Sequence, residues 1–195
     1  MKTRNTMLRG KSPKKMIALL AVTVVGCLVA AAPTWGKGGL SAGAKGGSTA
    51  LKPAASDEDE VKARLAQLYA ASTNGDLNAI DGLFSGDPHA LLLGTDPTEV
   101  VTGHTNIVQF WQDIFQALGS LGYPNNGGLP IVAAGPPLQV DVHGAVAWVA
   151  DQPTFQFAHG SVPFRLTAVF HKEGGEWRII QIHFSIGVPN STLPI

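Results

Sequence analysis

The sequence predicts an α+β domain in which three helices precede a long antiparallel sheet. The first observation is the order of the hydrophobic patterns, which are helix-like between residues 57 and 118 and strand-like between 129 and 188. The second is Gly174-Gly175, which separates two segments rich in β-branched and aromatic residues. Gly-Gly suits a two-residue turn, because both central positions of such a turn have positive φ. The chain is therefore expected to end in a β-hairpin.

The register of this hairpin follows from the turn. A two-residue turn places Leu166 opposite His183, and side chains alternate between the two faces of a strand. One face is then predicted to carry Phe164, Leu166, Ala168, Phe170, Trp177, Ile179, Gln181, His183 and Ser185. The other face is predicted to carry an apolar set that includes Val169, Ile180, Ile182 and Phe184.

The helices are predicted from their ends and their apolar faces. Ser56 is a suitable cap for a first helix that begins at Asp57 and ends at Asn74-Gly75-Asp76. Asp76 is expected to cap a short second helix over 77–84, and a strongly apolar third helix is expected over 105–118. Short strands are predicted over 90–93 and 99–102, strand-like pieces within 129–142, and one strand over 145–157 with a bulge near Pro153.

Charge is divided unevenly along the 195 residues. Residues 1–52 carry nine Lys/Arg and no acid, whereas residues 53–195 carry five Lys/Arg and all fourteen Asp/Glu, a formal charge of −9. An acidic domain is a poor match for nucleic acid, which needs Lys/Arg to neutralise its phosphates. We therefore expect no nucleic-acid partner.

The N-terminal segment has the layout of a secretory leader. A basic region precedes the uncharged run from Met16 to Ala32, which closes with three alanines. Residues 1–32 are therefore predicted to be a signal peptide, and the protein to be exported to the periplasm, the cell envelope or the medium. Cys27 follows Val24-Val25-Gly26, which resembles a lipoprotein box, so lipid attachment is one alternative and an uncleaved anchor is another. Residues 33–56 are rich in Gly, Ser and Ala and predict a flexible linker. The only cysteine lies in the leader, so no disulfide or thiol chemistry is expected in the domain.

Three motifs carry a family resemblance. They are R-x-T-x-V from Arg165 with G-x-W-x-I-x-x-x-H-x-S from Gly175, the segment 94–111, and AWVAD from Ala147. Together they resemble the SnoaL-like domains of the nuclear transport factor 2-like superfamily, over about residues 57–190, with 191–195 as a tail. The resemblance implies a strongly curved antiparallel sheet that forms a cone around the N-terminal helices. It also implies a pocket on the concave side, and a convex side that pairs with a second subunit, so a homodimer is expected.

The same resemblance implies the candidate site. The predicted register puts His183 on the concave face, where its imidazole could act as general acid or base. The alternative is a structural histidine that is hydrogen-bonded in the core. The residues expected to line the pocket are Tyr69, Trp111, Trp148, Gln152, Leu166, Gln181 and Ser185. Asp151 and Arg165 are expected to meet on the convex face.

Chemistry typical of the fold is not visible in the sequence. The tyrosine of ketosteroid isomerase, an enzyme of this fold, would fall on Leu68, its base within 91–93 and its second aspartate near Thr167 or Ala168, so that mechanism is not transferred. Neither the histidine spacing nor a Gly-rich loop predicts a metal or cofactor. Three hypotheses remain: a pocket for a small apolar ligand, an enzyme that uses His183, and a dimeric scaffold without a ligand.

Overall fold

The computed structural model describes residues 55–157 and 160–192. The predicted leader, including Cys27, and nearly all of the predicted linker lie outside the described residues. The helices are α1 (Asp57–Asn74), α2 (Leu77–Leu83), α3 (His104–Ser120) and the one-turn α4 (Pro124–Gly127), and a short 3-10 turn spans Asn190–Thr192. None of the helices in these ranges is both long and apolar enough to cross a bilayer.

The first two helices begin and end as the sequence predicts. The Ser56 side chain accepts a hydrogen bond from the Asp59 backbone N–H at 3.2 Å, and Gly75 ends α1 with a φ of 61°. Asp76 caps α2 by accepting from the Ala79 N–H at 3.0 Å. These contacts satisfy N–H groups that have no partner inside a helix. The apolar face of α1, from Val61 to Ser72, is buried against the sheet.

The strands form two sheets. They are β1 (Leu91–Leu93), β2 (Val100–Thr102), β3 (Ile131–Val132), β4 (Gln139–His143), β5 (Val146–Asp151), β6 (Thr154–Phe157), β7 (Gly160–Pro163), β8 (Arg165–Glu173) and β9 (Glu176–Ser185). The larger sheet has the order β2-β1-β9-β8-β5-β4 and the smaller has the order β3-β6-β7. All neighbours are antiparallel except β1, which runs parallel to β9. The fold is therefore the predicted mixed α+β type with a curved antiparallel sheet and helices.

The predicted strand over 145–157 is divided between the sheets. Its first half, β5, pairs with β8, and its second half, β6, pairs with β3 and β7. The break falls at Gln152-Pro153, because proline has no N–H to donate to a strand ladder. The chain turns there and begins a second layer.

The closing hairpin contains a β-bulge that changes its register. From the turn to Phe170↔Ile179 the pairing is the predicted one, but beyond it Val169 pairs with Gln181, and Ile180 is the extra residue. The bulge lies where the other neighbour of β9 changes. The backbone of Phe84-Ser85 contacts Ile179, whereas β1 pairs with residues 181–183.

The predicted facing of the last part of β9 is consequently wrong. Ile182 and Phe184 point inward, with 0% and 5% exposure, whereas the alternation puts Gln181, His183 and Ser185 on the outer face. One extra residue in a strand exchanges the two faces for every residue beyond it.

One continuous core lies between the helices and the larger sheet. Its largest fully buried side chains include Trp177, Phe84, Phe164 and Phe170. The rings of Phe164, just before β8, and Phe155 stack at 3.9 Å between centroids, so the core continues to β6 in the smaller sheet.

Candidate functional site

A small apolar pocket lies where α3, the end of β9 and the smaller sheet meet. It has a volume of about 50 Å³ and is lined by Gly94, Thr95, Glu99, Phe110, Trp111, Ile114, Leu129, Phe155 and Phe184. A cavity needs roughly 10–15 Å³ of such volume to hold one water molecule, so this pocket has room for about four groups of that size. The pocket therefore matches only a compact ligand or the end of a longer one.

Aromatic rings hold the wall of this pocket in place. Trp111 of α3 meets Phe184 of β9 edge-to-face, with centroids 6.2 Å apart, and meets Phe115 at 5.7 Å. Phe184 in turn packs against Phe164 at 5.8 Å. The bulge makes this possible, because it is the reason that Phe184 points inward. Ring pairs of this geometry stabilise a core beyond the area they bury.

The indole of Trp111 carries an unused hydrogen-bond donor. Trp111 is 2% exposed, and its Nε1–H has no acceptor among the described residues. The indole of Trp177 shares this property, but Trp177 does not line the pocket. A buried donor without a partner costs about 1–3 kcal/mol. An oxygen acceptor that reached Nε1 of Trp111 would remove this cost.

Glu99 places a carboxyl group at the edge of the same pocket. Its Oε2 accepts from the Asp96 backbone N–H at 3.0 Å, which folds the loop between β1 and β2 across the pocket. A Cβ on Gly94 would lie 2.0 Å from that oxygen, so only glycine allows this close approach. Burial is the main cause that raises the pKa of Glu99 above its ordinary value, partly opposed by the Asp96 N–H. Glu99 is thus the titratable group on the pocket wall.

His183 lies on the other side of that loop. It borders a groove of about 290 Å³ together with Glu99, Ser185 and Ile186, and it does not line the apolar pocket. The segment Gly94–Glu99 lines both spaces, so it is the partition between them. Its position makes the histidine a neighbour of the pocket rather than a part of it.

A buried hydrogen bond joins α1 to β5 nearby. The hydroxyl of Tyr69 donates to Asp151 Oδ2 at 2.6 Å, and the Gln152 backbone N–H donates to Asp151 Oδ1 at 2.7 Å. Tyr69 is 7% and Asp151 is 5% exposed. Burial, followed by the hydrogen bond and the charge of Asp151, raises the pKa of Tyr69 far above its ordinary value. Tyr69 is therefore a fixed neutral donor.

The structure brings few of the predicted site residues together. Trp111 lines the pocket, Tyr69 is bonded to Asp151, and Leu166 is fully buried core. The predicted inward orientation of Trp148 and Gln152 is wrong, because β5 turns Val149 and Asp151 inward. Trp148 is 40% exposed and stacks on His143, and Gln152 is exposed. The expected contact of Asp151 with Arg165 on the convex face is wrong for the same reason.

Several pocket residues were not predicted from the sequence. Phe110 and Ile114 flank Trp111 on α3, so helical spacing would have suggested them. Glu99 and Phe155 come from a loop and from the second sheet, and no local pattern marks either of them. The described residues contain no group of three or more His, Cys, Asp or Glu that is placed to hold a metal ion.

Comparison with known proteins identifies the family. The model of the SnoaL-like domain matches residues 61–189 of this chain. The chain belongs to the SnoaL-like domain family. A search of curated proteins finds no match.

Solved structures agree with the SnoaL-like fold. A nuclear transport factor 2-like superfamily protein from Salmonella enterica serovar Typhimurium is 15% identical, with a TM-score of 0.55, and the match covers 71% of this chain and 96% of that one. A protein from Xanthomonas campestris, described as a candidate calcium/calmodulin-dependent protein kinase II association domain, is 24% identical with a TM-score of 0.53, over 72% of this chain and 94% of that one. A protein of unknown function from Pseudomonas putida is 16% identical with a TM-score of 0.53, over 69% and 89%. At these identities the likeness concerns the fold alone.

Proposed function

We propose that this SnoaL-like domain binds a small, mainly apolar molecule that carries one oxygen acceptor. Two observations carry the proposal: the Trp111 side chain lines an otherwise apolar pocket, and its buried Nε1–H has no acceptor among the described residues. A ligand oxygen would give this donor the partner that it lacks, while Phe110, Ile114 and Phe155 cover the apolar part of the ligand.

The pocket volume limits the size and the affinity of the ligand. About four heavy atoms fit, and the best small ligands gain about 1.5 kcal/mol per heavy atom, so the dissociation constant would be tens of micromolar at best. A longer ligand would have to continue into the neighbouring groove of about 290 Å³, which requires the Gly94–Glu99 segment to move.

Acetone and 2-methylpropene test the proposal, because they have nearly the same shape and only acetone has an oxygen. In ¹H–¹⁵N spectra, acetone should shift the indole N–H signal of Trp111 saturably, whereas 2-methylpropene should bind more weakly. Trp111→Phe keeps an aromatic ring and should remove the preference for acetone. Trp148→Phe is the matched control, since Trp148 lies on the outer face. Equal acetone-induced shifts at the indole N–H signals of Trp111 and Trp148, or no saturable shift at Trp111, would refute the proposal.

A second candidate function is self-association through the outer face of the larger sheet. Trp148 and Val146 are 40% and 41% exposed there, in the first half of β5. They replace the apolar patch expected from the sequence, of which Ile182 and Phe184 turn out to be core. The Xanthomonas protein is described as an association domain, which supports a proposal of assembly but does not carry it.

Sedimentation tests the second candidate. The wild-type protein should sediment as a dimer at micromolar concentration, and Trp148→Asp should sediment as a monomer, because a charge in an apolar interface is costly. Leu121→Asp is the matched control, because Leu121 is 61% exposed but follows α3, away from the sheet face. A wild-type monomer would exclude this function.

We also propose that the protein is exported, on the sequence of the leader in residues 1–32 alone.

A further inference from the structure

A second and larger cleft lies between α1 and α2. It is formed by α1, α2 and the first residues of β9, and its volume is about 440 Å³. This is within the range of about 300–1,000 Å³ that is usual for small-molecule sites. It shares no residue with the apolar pocket. Its wall combines small side chains with two arginines, which is a different chemistry from that of the pocket.

The two arginines share one carboxylate oxygen. Arg64 Nη2 lies 3.3 Å and Arg178 Nη2 lies 3.0 Å from the same Oε2 of Glu176. Each guanidinium is also held by a second contact. Arg178 Nη1 donates to the Gly82 carbonyl at 2.5 Å, and Arg64 Nη1 donates to Gln67 Oε1 at 3.3 Å. Both groups are therefore oriented towards one point without any ligand.

The charge around this point is unusual for so acidic a domain. Residues 53–195 contain fourteen acids and only five Lys/Arg, yet two of those five share a single acid. Lys62 has Glu58, and Lys172 has both Asp57 and Glu60. The other acid on the cleft wall, Asp76, is engaged in capping α2. If the Glu176 carboxylate moves away, the wall carries two positive charges and one negative charge.

Glu176 is free to move away. Its side chain is 54% exposed, and it is the first residue of β9, next to the Gly174-Gly175 turn. An exposed ion pair contributes little to stability, so its release costs little.

We propose that this cleft binds a small organic carboxylate, whose carboxylate group replaces that of Glu176 between Arg64 and Arg178. A guanidinium matches the planar carboxylate with two parallel hydrogen bonds, and the cleft already holds a carboxylate at this point. The body of the ligand lies over Ala70, Ala79 and Gly82, where small side chains leave the space open. The amides of Gln67 and Asn74 line the same cleft; the Asn74 amide and the NH2 group of Gln67 are available to polar groups of the ligand, whereas Gln67 Oε1 already accepts from Arg64.

Succinate is the probe that tests this proposal, with succinamide as the neutral control. Succinate should shift the Nε–H signals of Arg64 and Arg178 saturably in ¹H–¹⁵N spectra of the full chain, and succinamide should not. Glu176→Gln removes the internal competitor and should tighten succinate binding about tenfold, whereas Arg64→Gln should weaken it about tenfold or more. Lys62→Gln removes one positive charge from the same helix outside the cleft and should leave binding unchanged.

The opposite results would overturn the proposal. One such result is the absence of a saturable shift in Glu176→Gln at millimolar succinate. Another is an equal loss of succinate affinity in Lys62→Gln and Arg64→Gln, which would mean that succinate is held by general charge attraction. Inorganic phosphate that binds more tightly than succinate would overturn the assignment to carboxylates. Arg64→Gln is preferred to a change of Arg178, because Arg178 also donates to the backbone of α2.

Discussion

The hydrogen bond between Tyr69 and Asp151 is the contact whose removal should have the best-defined effect. Tyr69→Phe deletes one hydroxyl and leaves Asp151 Oδ2 without the donor that lies 2.6 Å away. Asp151 is 5% exposed, so water is poorly placed to replace that donor. A hydrogen bond to a buried charged group contributes about 1.5–3 kcal/mol. We expect Tyr69→Phe to lower the free energy of unfolding by that amount at neutral pH.

The same pair predicts a loss of stability at alkaline pH. In the unfolded chain a tyrosine loses its proton near pH 10, whereas the pKa of Tyr69 in the folded protein is far higher because of burial and of Asp151. Above about pH 10 the unfolded state therefore binds fewer protons than the folded state. The contribution of Tyr69 to the free energy of unfolding is fully present below about pH 10. As pH rises above about 10 this contribution is lost, by up to about 1.4 kcal/mol per pH unit. The free energy of unfolding of Tyr69→Phe should lack this decrease with pH.

Urea unfolding followed by tryptophan fluorescence, at about pH 8 and about pH 11, measures both effects. The difference in the free energy of unfolding between wild type and Tyr69→Phe should become smaller as pH rises. Tyr123→Phe is the matched control, because Tyr123 is the only other tyrosine of the chain and is half-buried immediately before α4. Parallel pH profiles for wild type and Tyr69→Phe would refute the explanation, as would a change below about 0.5 kcal/mol at neutral pH, which is typical of surface sites.

Four further outcomes are expected. Ser72→Ala should cost about 1–2 kcal/mol in urea unfolding, because the buried Ser72 hydroxyl donates to the Leu129 carbonyl at 2.8 Å; an unchanged unfolding midpoint would contradict it. Glu99→Gln should raise the free energy of unfolding at neutral pH, because burial disfavours the charged carboxylate and raises the pKa of Glu99. This gain over wild type should disappear as pH falls towards 4.5 and the Glu99 carboxyl takes up a proton. A variant less stable than wild type at pH 7 would oppose this. His183→Asn should leave acetone binding in the pocket unchanged and alter stability by less than about 0.5 kcal/mol, because His183 lies on the outer face; loss of acetone binding would return His183 to the site. N-terminal sequencing of exported protein should find residues 1–32 removed, and a start at Met1 would contradict the leader.

Local chemistry determined most of the elements from the sequence alone. Ser56 and Asp76 cap their helices through atoms within three residues, and Gly174-Gly175 makes its turn with positive φ at both positions. The family motifs of the hairpin and of the segment 94–111 predicted the α+β fold with its curved antiparallel sheet. These features depend on neighbours in the chain, so they can be inferred without knowledge of the packing.

The tertiary structure decided which side chains meet. The extra residue at Ile180 has no signature of its own, since it lies where β9 exchanges the Phe84-Ser85 backbone for β1 as its neighbour. That one residue turned His183 outward and Phe184 inward, and it thereby moved the expected site. The same holds for Phe155 and Trp111, which line one pocket, and for Arg64 and Arg178, which share Glu176; each pair is brought together by elements distant in sequence. Strand side chains alternate with a period of two, so a single inserted residue reverses the face of every later one, and only the paired strands reveal it.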